Sequence, residues 1–224
     1  ASTLSTAGIF FIILLCSLAL HEFAHAWVAD KRGDPLPRAQ GRVTLDPTAH
    51  LDPVGSLLIP GMMILLSLSA SGLPFFLLGW GKPVQISLPN PKTRRLDDIL
   101  ITLAGPGMNL LLALLLSIAT GVAVARGGQI AVERFFLPAI SLNICLAVFN
   151  LIPIPPLDGS HILRHVIGMS EELYTRLCAH GWWILLILIN LSFFREFLSR
   201  AILETATPFL LLAESVARLF GVEA

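Results

Sequence analysis

The chain reads as an all-α, polytopic integral membrane protein, and three observations predict this. Apolar residues make up 55% of its 224 residues and charged residues only 13%, with a mean hydropathy of +0.79. A water-soluble surface cannot be assembled from what is left. Several uncharged runs also approach the roughly 20 residues that a helix needs to cross a bilayer core of about 30 Å. Finally, Lys31, Arg32, Arg38, Arg42, Lys82, Lys92, Arg94 and Arg95 all fall between the first apolar run and the next long one. Such a basic stretch belongs on the cytoplasmic side.

Ala7 to Ala29 is the first span, and no basic leader of a cleavable signal precedes it. Asp30 to Pro53, rich in Pro, Gly, Arg and Asp, is expected to be interfacial loop with at most a short strand at Gly41 to Leu45. Val54 to Trp80 is apolar but interrupted by Pro60, Gly61, Gly72, Pro74 and Gly79, so one span, a re-entrant hairpin and two short pieces are all open. Val84, Ile86 and Leu88 alternate with Gln85 and Ser87, which predicts a small membrane-associated β element. Asp97 and Asp98 open the next helix, where acids complement the helix dipole, and Ile99 to Val124 spans the membrane before Arg126-Gly127-Gly128 ends it.

Phe135 to Leu151 is a further span, stopped by Pro153, Pro155 and Pro156. Trp182 to Leu191 and Ala201 to Leu212 add one or two more, for about five to six membrane segments. These form one domain over residues 1–224, with a core at 7–170 and apolar C-terminal helices at 180–224. Arg126 and Arg134 are the only basic residues between the two long spans, so that loop lies outside and the first span runs outside to inside. Cys16, Cys145 and Cys178 lack pairing or metal-type spacing and read as packing residues. Nothing marks a nucleic-acid partner, and the oligomeric state is not legible.

The first span carries His21-Glu22-Phe23-Ala24-His25. Positions i and i+4 of a helix share a face, so His21 and His25 can bind one cation while Glu22 lies beside that face. Two neutral imidazoles suit zinc, and an adjacent glutamate can take a proton from zinc-bound water. His21 lies roughly 13 Å, and His25 roughly 7 Å, inside the charged helix end at Asp30. Plainer readings exist: His21 bonding a neighbouring helix, or Glu22 paired with a buried Arg.

A catalytic zinc needs a third protein ligand. Asp158 is the best candidate, presented by the proline-broken run Asn150 to Gly159 at the cytoplasmic end of its span. Its competing role is N-cap of a helix over Gly159 to Ile167. His161 and His165 form a second i, i+4 pair, without a glutamate, and read as interfacial surface. His50, alone in a loop, reads as solvated.

The His-Glu-x-x-His span, the downstream run Asn-x-x-Pro-x-Pro-x-Leu-Asp-Gly at Asn150 to Gly159, and Ala104-Gly105-Pro106 with Asn109 together resemble the site-2 protease family of intramembrane zinc metalloproteases. The resemblance covers about residues 7–170 and is nearest to the compact bacterial or archaeal members, without a PDZ or nucleotide-binding domain. It implies one zinc ion per chain held by His21, His25 and Asp158, Glu22 as general base, and Asn150 near the substrate or the developing oxyanion. It also implies a multi-pass protein of the cell membrane, its site toward the cytoplasm, cleaving a single-span membrane-protein substrate within or near the bilayer. A substrate helix must unwind to expose a carbonyl, and Val84 to Leu88 is expected to pair with it as an added strand. The rival readings are a membrane metal-ion transporter and a non-catalytic metal-binding scaffold. Glu22 argues against both, since neither needs a carboxylate that does not bind the metal.

Overall fold

In the computed structural model, residues 3–69 and 79–221 are described. Helix α1 (Thr3–Lys31) carries both histidines of the first motif and extends beyond Asp30. It ends where Gly33 takes a φ of 86°, a left-handed conformation that glycine enters at no steric cost. A short α2 (Leu36–Ala39) follows, then a loop, a turn of π-helix at Pro53–Leu58 and α3 (Ile59–Ser69). Helix α4 (Arg94–Ala125) is the long central span and contains Pro106. Helix α5 (Gln129–Ala131) and a π-turn at Val132–Phe136 lead into α6 (Leu137–Asn150).

Beyond the broken run lie α7 (Gly159–Val166), α8 (Glu171–Asn190) and α9 (Ser192–Leu219). Three helical stretches, Ser5–Lys31, Arg94–Ala125 and Gln129–Asn150, are long and apolar enough to cross a membrane. The pair α8 and α9, bent by 87°, makes a fourth if counted as one broken span.

The core is built where these helices meet. Ile13, Leu14 and Leu18 of α1 pack with Ala139 and Leu142 of α6. Ala113 of α4, Ile140 and Ile144 of α6 and Ala206 of α9 form a second cluster. A third, of Ile152, Leu157, Leu185, Phe194 and Leu198, pins the broken run against α8 and α9. Leucines and isoleucines elsewhere on the spans, such as Ile12, Leu115 and Ile187, face outward, as expected of helices whose solvent is lipid.

Two expectations are corrected. Among the described residues no strand forms at Gly41 to Leu45 or at Val84 to Leu88; the only pairing is an isolated antiparallel bridge between Leu51 and Gly81. The alternation at Val84 to Leu88 yields no regular structure, Leu88 taking a left-handed φ of 46°, and the segment's partners are side chains. Asp34 accepts from the amides of Ser87 (2.5 Å) and Leu88 (3.1 Å) and from Ser87 Oγ (2.6 Å), while Arg42 donates to Pro83 O (3.2 Å). Burial alone raises the pKa of Asp34, but the Ser87 hydroxyl and the amides of Leu36, Ser87 and Leu88 together hold it below the usual 3.8. His50 is fully buried rather than solvated. Its Nε2 donates to Thr44 O (2.8 Å) and its carbonyl accepts from Lys82 N (2.8 Å), so it knots the loop to the returning chain.

The two ends of the interrupted segment Val54 to Trp80 lie side by side. Trp80 N donates to Gly55 O (3.2 Å), and Ser56 Oγ donates to Trp80 O (2.7 Å). The choice among the three readings falls on residues 70–78, which lie outside the described ones. Gly72 and Pro74 lie outside the described residues.

Candidate active site

His21 and His25 are buried on α1, with their Nε2 atoms 3.1 Å apart. Asp158 Oδ2 lies 3.2 Å from the first and 3.4 Å from the second. Each imidazole is fixed from behind. His21 Nδ1–H donates to Asn109 Oδ1 (2.6 Å), and His25 Nδ1–H donates to Ile101 O (2.6 Å), both partners on α4. The Asn109 orientation follows from its other end, where Nδ2 donates to Asn143 Oδ1 (2.9 Å). Asn143 Nδ2 in turn donates to Ser17 Oγ (3.0 Å) and Ala139 O (2.9 Å), which closes the network across α1, α4 and α6.

With both Nδ1 atoms donating, both Nε2 atoms present lone pairs. Two nitrogen lone pairs and a carboxylate oxygen therefore face one another in a buried place, and Asp158 Oδ2 has no hydrogen-bond donor. That arrangement is unfavourable unless a cation sits among the three. Ligand atoms around a tetrahedral zinc with bonds of about 2.0–2.1 Å stand roughly 3.3–3.4 Å apart. The observed 3.1, 3.2 and 3.4 Å edges fit that ion. Gly105 keeps the place open, since a Cβ there would stand 2.3 Å from His25 Nε2 and 2.5 Å from His21 Nε2.

Asp158 precedes α7, yet its side chain makes no cap hydrogen bond, so the cap reading fails and its carboxylate is free for the histidines. The Asp-Gly order has a steric origin: a Cβ on Gly159 would lie 2.3 Å from Leu151 O and 2.6 Å from Ile152 O. Only glycine lets the run double back here and deliver Asp158 to α1. The site is open on one side, because Asp158 keeps 22% of its side chain exposed against 6% for His21.

Glu22 stays outside the three-ligand group and turns toward the returning chain. A Cβ on Gly81 would be 2.7 Å from Glu22 Cγ and 2.9 Å from Oε1, so the absence of a side chain at Gly81 lets the Leu51–Gly81 bridge pass over the carboxylate. Asn150 is not brought into the group; its Nδ2 donates back to Leu146 O (3.0 Å) within α6. Asn109, which in the sequence only accompanies the Ala104-Gly105-Pro106 motif, both supports the site and bridges helices. Sequence reasoning missed Asn143, Ser17 and the spacing roles of Gly81 and Gly105. Buried polar residues at helical spacing in apolar spans were the available signal for the first two.

A three-ligand cation seat with a free carboxylate beside it, inside an apolar helical body, defines a membrane-embedded metallohydrolase. Residues 117–191 match the model of peptidase family M50. The chain is 36% identical over 185 residues to YwhC of Bacillus subtilis, provisionally named a zinc metalloprotease, covering 79% of this chain and 78% of that one. It is 38% identical over 165 residues to Rip2 of Mycobacterium tuberculosis, also provisionally named a zinc metalloprotease, covering 70% of this chain and 57% of Rip2. Protease RseP of Photorhabdus luminescens is 35% identical over 88 residues, 37% of this chain and 38% of its own. No solved structure matches. The chain belongs to peptidase family M50, the site-2 protease family, and is an intramembrane zinc metalloprotease.

Proposed function

We propose that the protein hydrolyses peptide bonds in the membrane-spanning segments of single-span membrane proteins, at one zinc ion held by His21, His25 and Asp158 and reached from the cytoplasm. The observation that carries this reading is the convergence of three buried lone pairs on one point beside a free glutamate. Zinc bound there supplies Lewis acidity, lowering the pKa of water toward 7 and polarising a peptide carbonyl. Glu22 accepts the proton of the attacking water and passes it to the leaving amine nitrogen. Asn109 and the Ile101 carbonyl hold the two imidazoles in the tautomer that keeps Nε2 unprotonated. Asn150, at the end of α6, faces the developing oxyanion once substrate is in place.

The segment Val84 to Leu88 receives the unwound substrate. The amides of Val84, Gln85 and Ile86 have no hydrogen-bond partner among the described residues, while Asp34 clamps the two that follow. A guest strand finds free backbone there. Proline at Gln85 or Ile86 impairs cleavage and leaves bound zinc intact; unchanged cleavage removes this role.

The orientation rests on the basic residues between the first two long spans. Across five to six segments, the stretch 54–80 enters and leaves on one face, so that His21, His25 and Asp158 meet at the cytoplasmic end. Cysteine-accessibility mapping that finds a single crossing contradicts the arrangement. The function is tested by stripping zinc from the purified protein with a chelator and presenting a single-span substrate. Cleavage stops and returns on adding zinc; cleavage that persists without metal contradicts the reading.

A further inference from the structure

The geometry points to Asp98 as the residue that positions the third zinc ligand, acting through His161 and His165 of α7. This rests on Asp158 being that ligand. Four positions of α4, Asp98, Ile101, Gly105 and Asn109, recur at spacings of three and four and share one helix face. Three of them already serve the site: Ile101 O holds His25, Asn109 holds His21, and Gly105 clears the ion's place. Asp98 is the fourth and the nearest to the helix start.

Asp98 is almost fully buried, and its carboxylate is hydrogen-bonded to one imidazole and lies beside a second that is not. His165 Nε2 donates to Oδ2 at 2.7 Å, and His161 Nδ1 lies 3.3 Å from Oδ1. Both histidines sit on α7, whose first turn begins with His161 N donating to Asp158 O (2.9 Å). A two-turn helix is rigid, so fixing its roll about its axis fixes the direction in which Asp158 leaves the preceding residue. The start of α7 is braced from α8 by Tyr174, which shares a hydrogen bond with Ser160 Oγ (2.9 Å) and sets its ring edge against His161.

The neighbouring Asp97 does the corresponding job for the other ligand element, accepting from Arg32 Nε (2.5 Å) just past the end of α1. The paired acids at the start of α4 thus tie down both chains that supply ligands. A second metal is not the explanation: the 2.7 Å contact is a hydrogen bond, shorter than the roughly 3.3 Å separating ligand atoms on one zinc. Accordingly, His161, His165 and Asp98 do not bring three ligand atoms together as His21, His25 and Asp158 do.

The test measures zinc affinity by chelator competition, together with melting temperature, on the full chain in detergent. The variants are Asp98→Leu, His165→Leu and His165→Gln, with Ile140→Ala, in the core cluster of α4, α6 and α9, as a destabilised control. Asp98→Leu and His165→Leu each weaken zinc binding about 10- to 100-fold, the range for residues that orient metal ligands, with one equivalent still bound at saturation. His165→Gln, which keeps an N–H donor, restores affinity toward wild type. If Asp98→Leu does not fold, the two His165 variants, at a partly exposed position, carry the comparison. Affinity within twofold of wild type in His165→Leu, no rescue by glutamine, or a loss matched by Ile140→Ala at equal melting temperature overturns the positioning role. So does a second zinc equivalent that disappears with Asp98. If zinc is bound and His21→Ala does not release it, the ligand assignment itself fails, and this inference with it.

Discussion

The molecule contains two histidine pairs at identical spacing, each facing an aspartate, and they do different things. His21 and His25 aim both Nε2 atoms at a single oxygen of Asp158, with 3.1 Å between them. His165 donates to one oxygen of Asp98, and His161 Nδ1 lies 3.3 Å from the other without a hydrogen bond. The difference lies behind the rings. In the first pair Asn109 and Ile101 O occupy both Nδ1 atoms, so the Nε2 lone pairs have nowhere to go but inward. In the second pair no acceptor stands behind the rings among the described residues: Asp98 accepts from His165 Nε2 and faces His161 Nδ1. Spacing alone selects a shared face; the partners behind decide whether that face becomes a metal seat or a hydrogen-bonded clamp.

The most severe way to break this contrast is to remove one imidazole from each pair. His25→Ala takes zinc from one equivalent to none and abolishes cleavage, while His161→Ala still carries one equivalent at saturating zinc; elemental analysis of both proteins reads the outcome. Gly105→Ala follows. The added methyl occupies the ion's place, 2.3 Å from His25 Nε2, while alanine is intrinsically better than glycine in a helix by about 1 kcal/mol. Zinc is lost although the fold is kept, and a melting curve measured beside the zinc content separates the two effects. Asn109→Ala unpins His21 and weakens zinc about 10- to 100-fold without removing it, as chelator competition will show.

The smallest effect concerns His50, a histidine outside both pairs. Burial pushes its pKa below the ordinary 6.5, the Arg42 cation adding to the effect, and its Nδ1 has no partner among the described residues. The unfolded loop then binds a proton more readily than the folded one. Its stabilisation is complete above about pH 6.5 and is lost as pH falls through the lowered value. Hydrogen-exchange protection factors at residues 41–52, corrected for the intrinsic pH dependence of exchange, should fall between pH 7.5 and 5.5 in the wild type and lose that fall in His50→Leu.

The three long spans and the histidine pair were legible because each is written locally. The count of five to six segments was not, since among the described residues three helices, or four with the bent pair as one, are long and apolar enough to cross. An apolar run long enough to cross a bilayer, or two histidines one helical turn apart, needs no knowledge of the rest of the chain. Asp158 was legible because prolines cannot continue a helix and its segment had to stop somewhere. What escaped is set by contacts distant in sequence. Alternation at Val84 to Leu88 promised a strand, but a strand needs a partner, and Asp34 supplied hydrogen bonds instead. His50 looked solvated because nothing local shows that Lys82 will come back to its carbonyl. His161 and His165 looked like surface because Asp98 is 67 residues from the second of them. Gly81 and Gly105 matter for what they leave out, which becomes visible only once Glu22 and the histidines are seen beside them.

In the proposed function the zinc centre and Glu22 together cut a membrane helix, with separable roles. The most direct measurement compares wild type and Glu22→Gln for bound zinc and for cleavage of one single-span substrate. Both proteins should carry one zinc per chain, and the variant should cleave slower by about 10²–10⁴-fold, the range for a lost general base. Equal cleavage by the two proteins would contradict the account, as would zinc lost together with the glutamate.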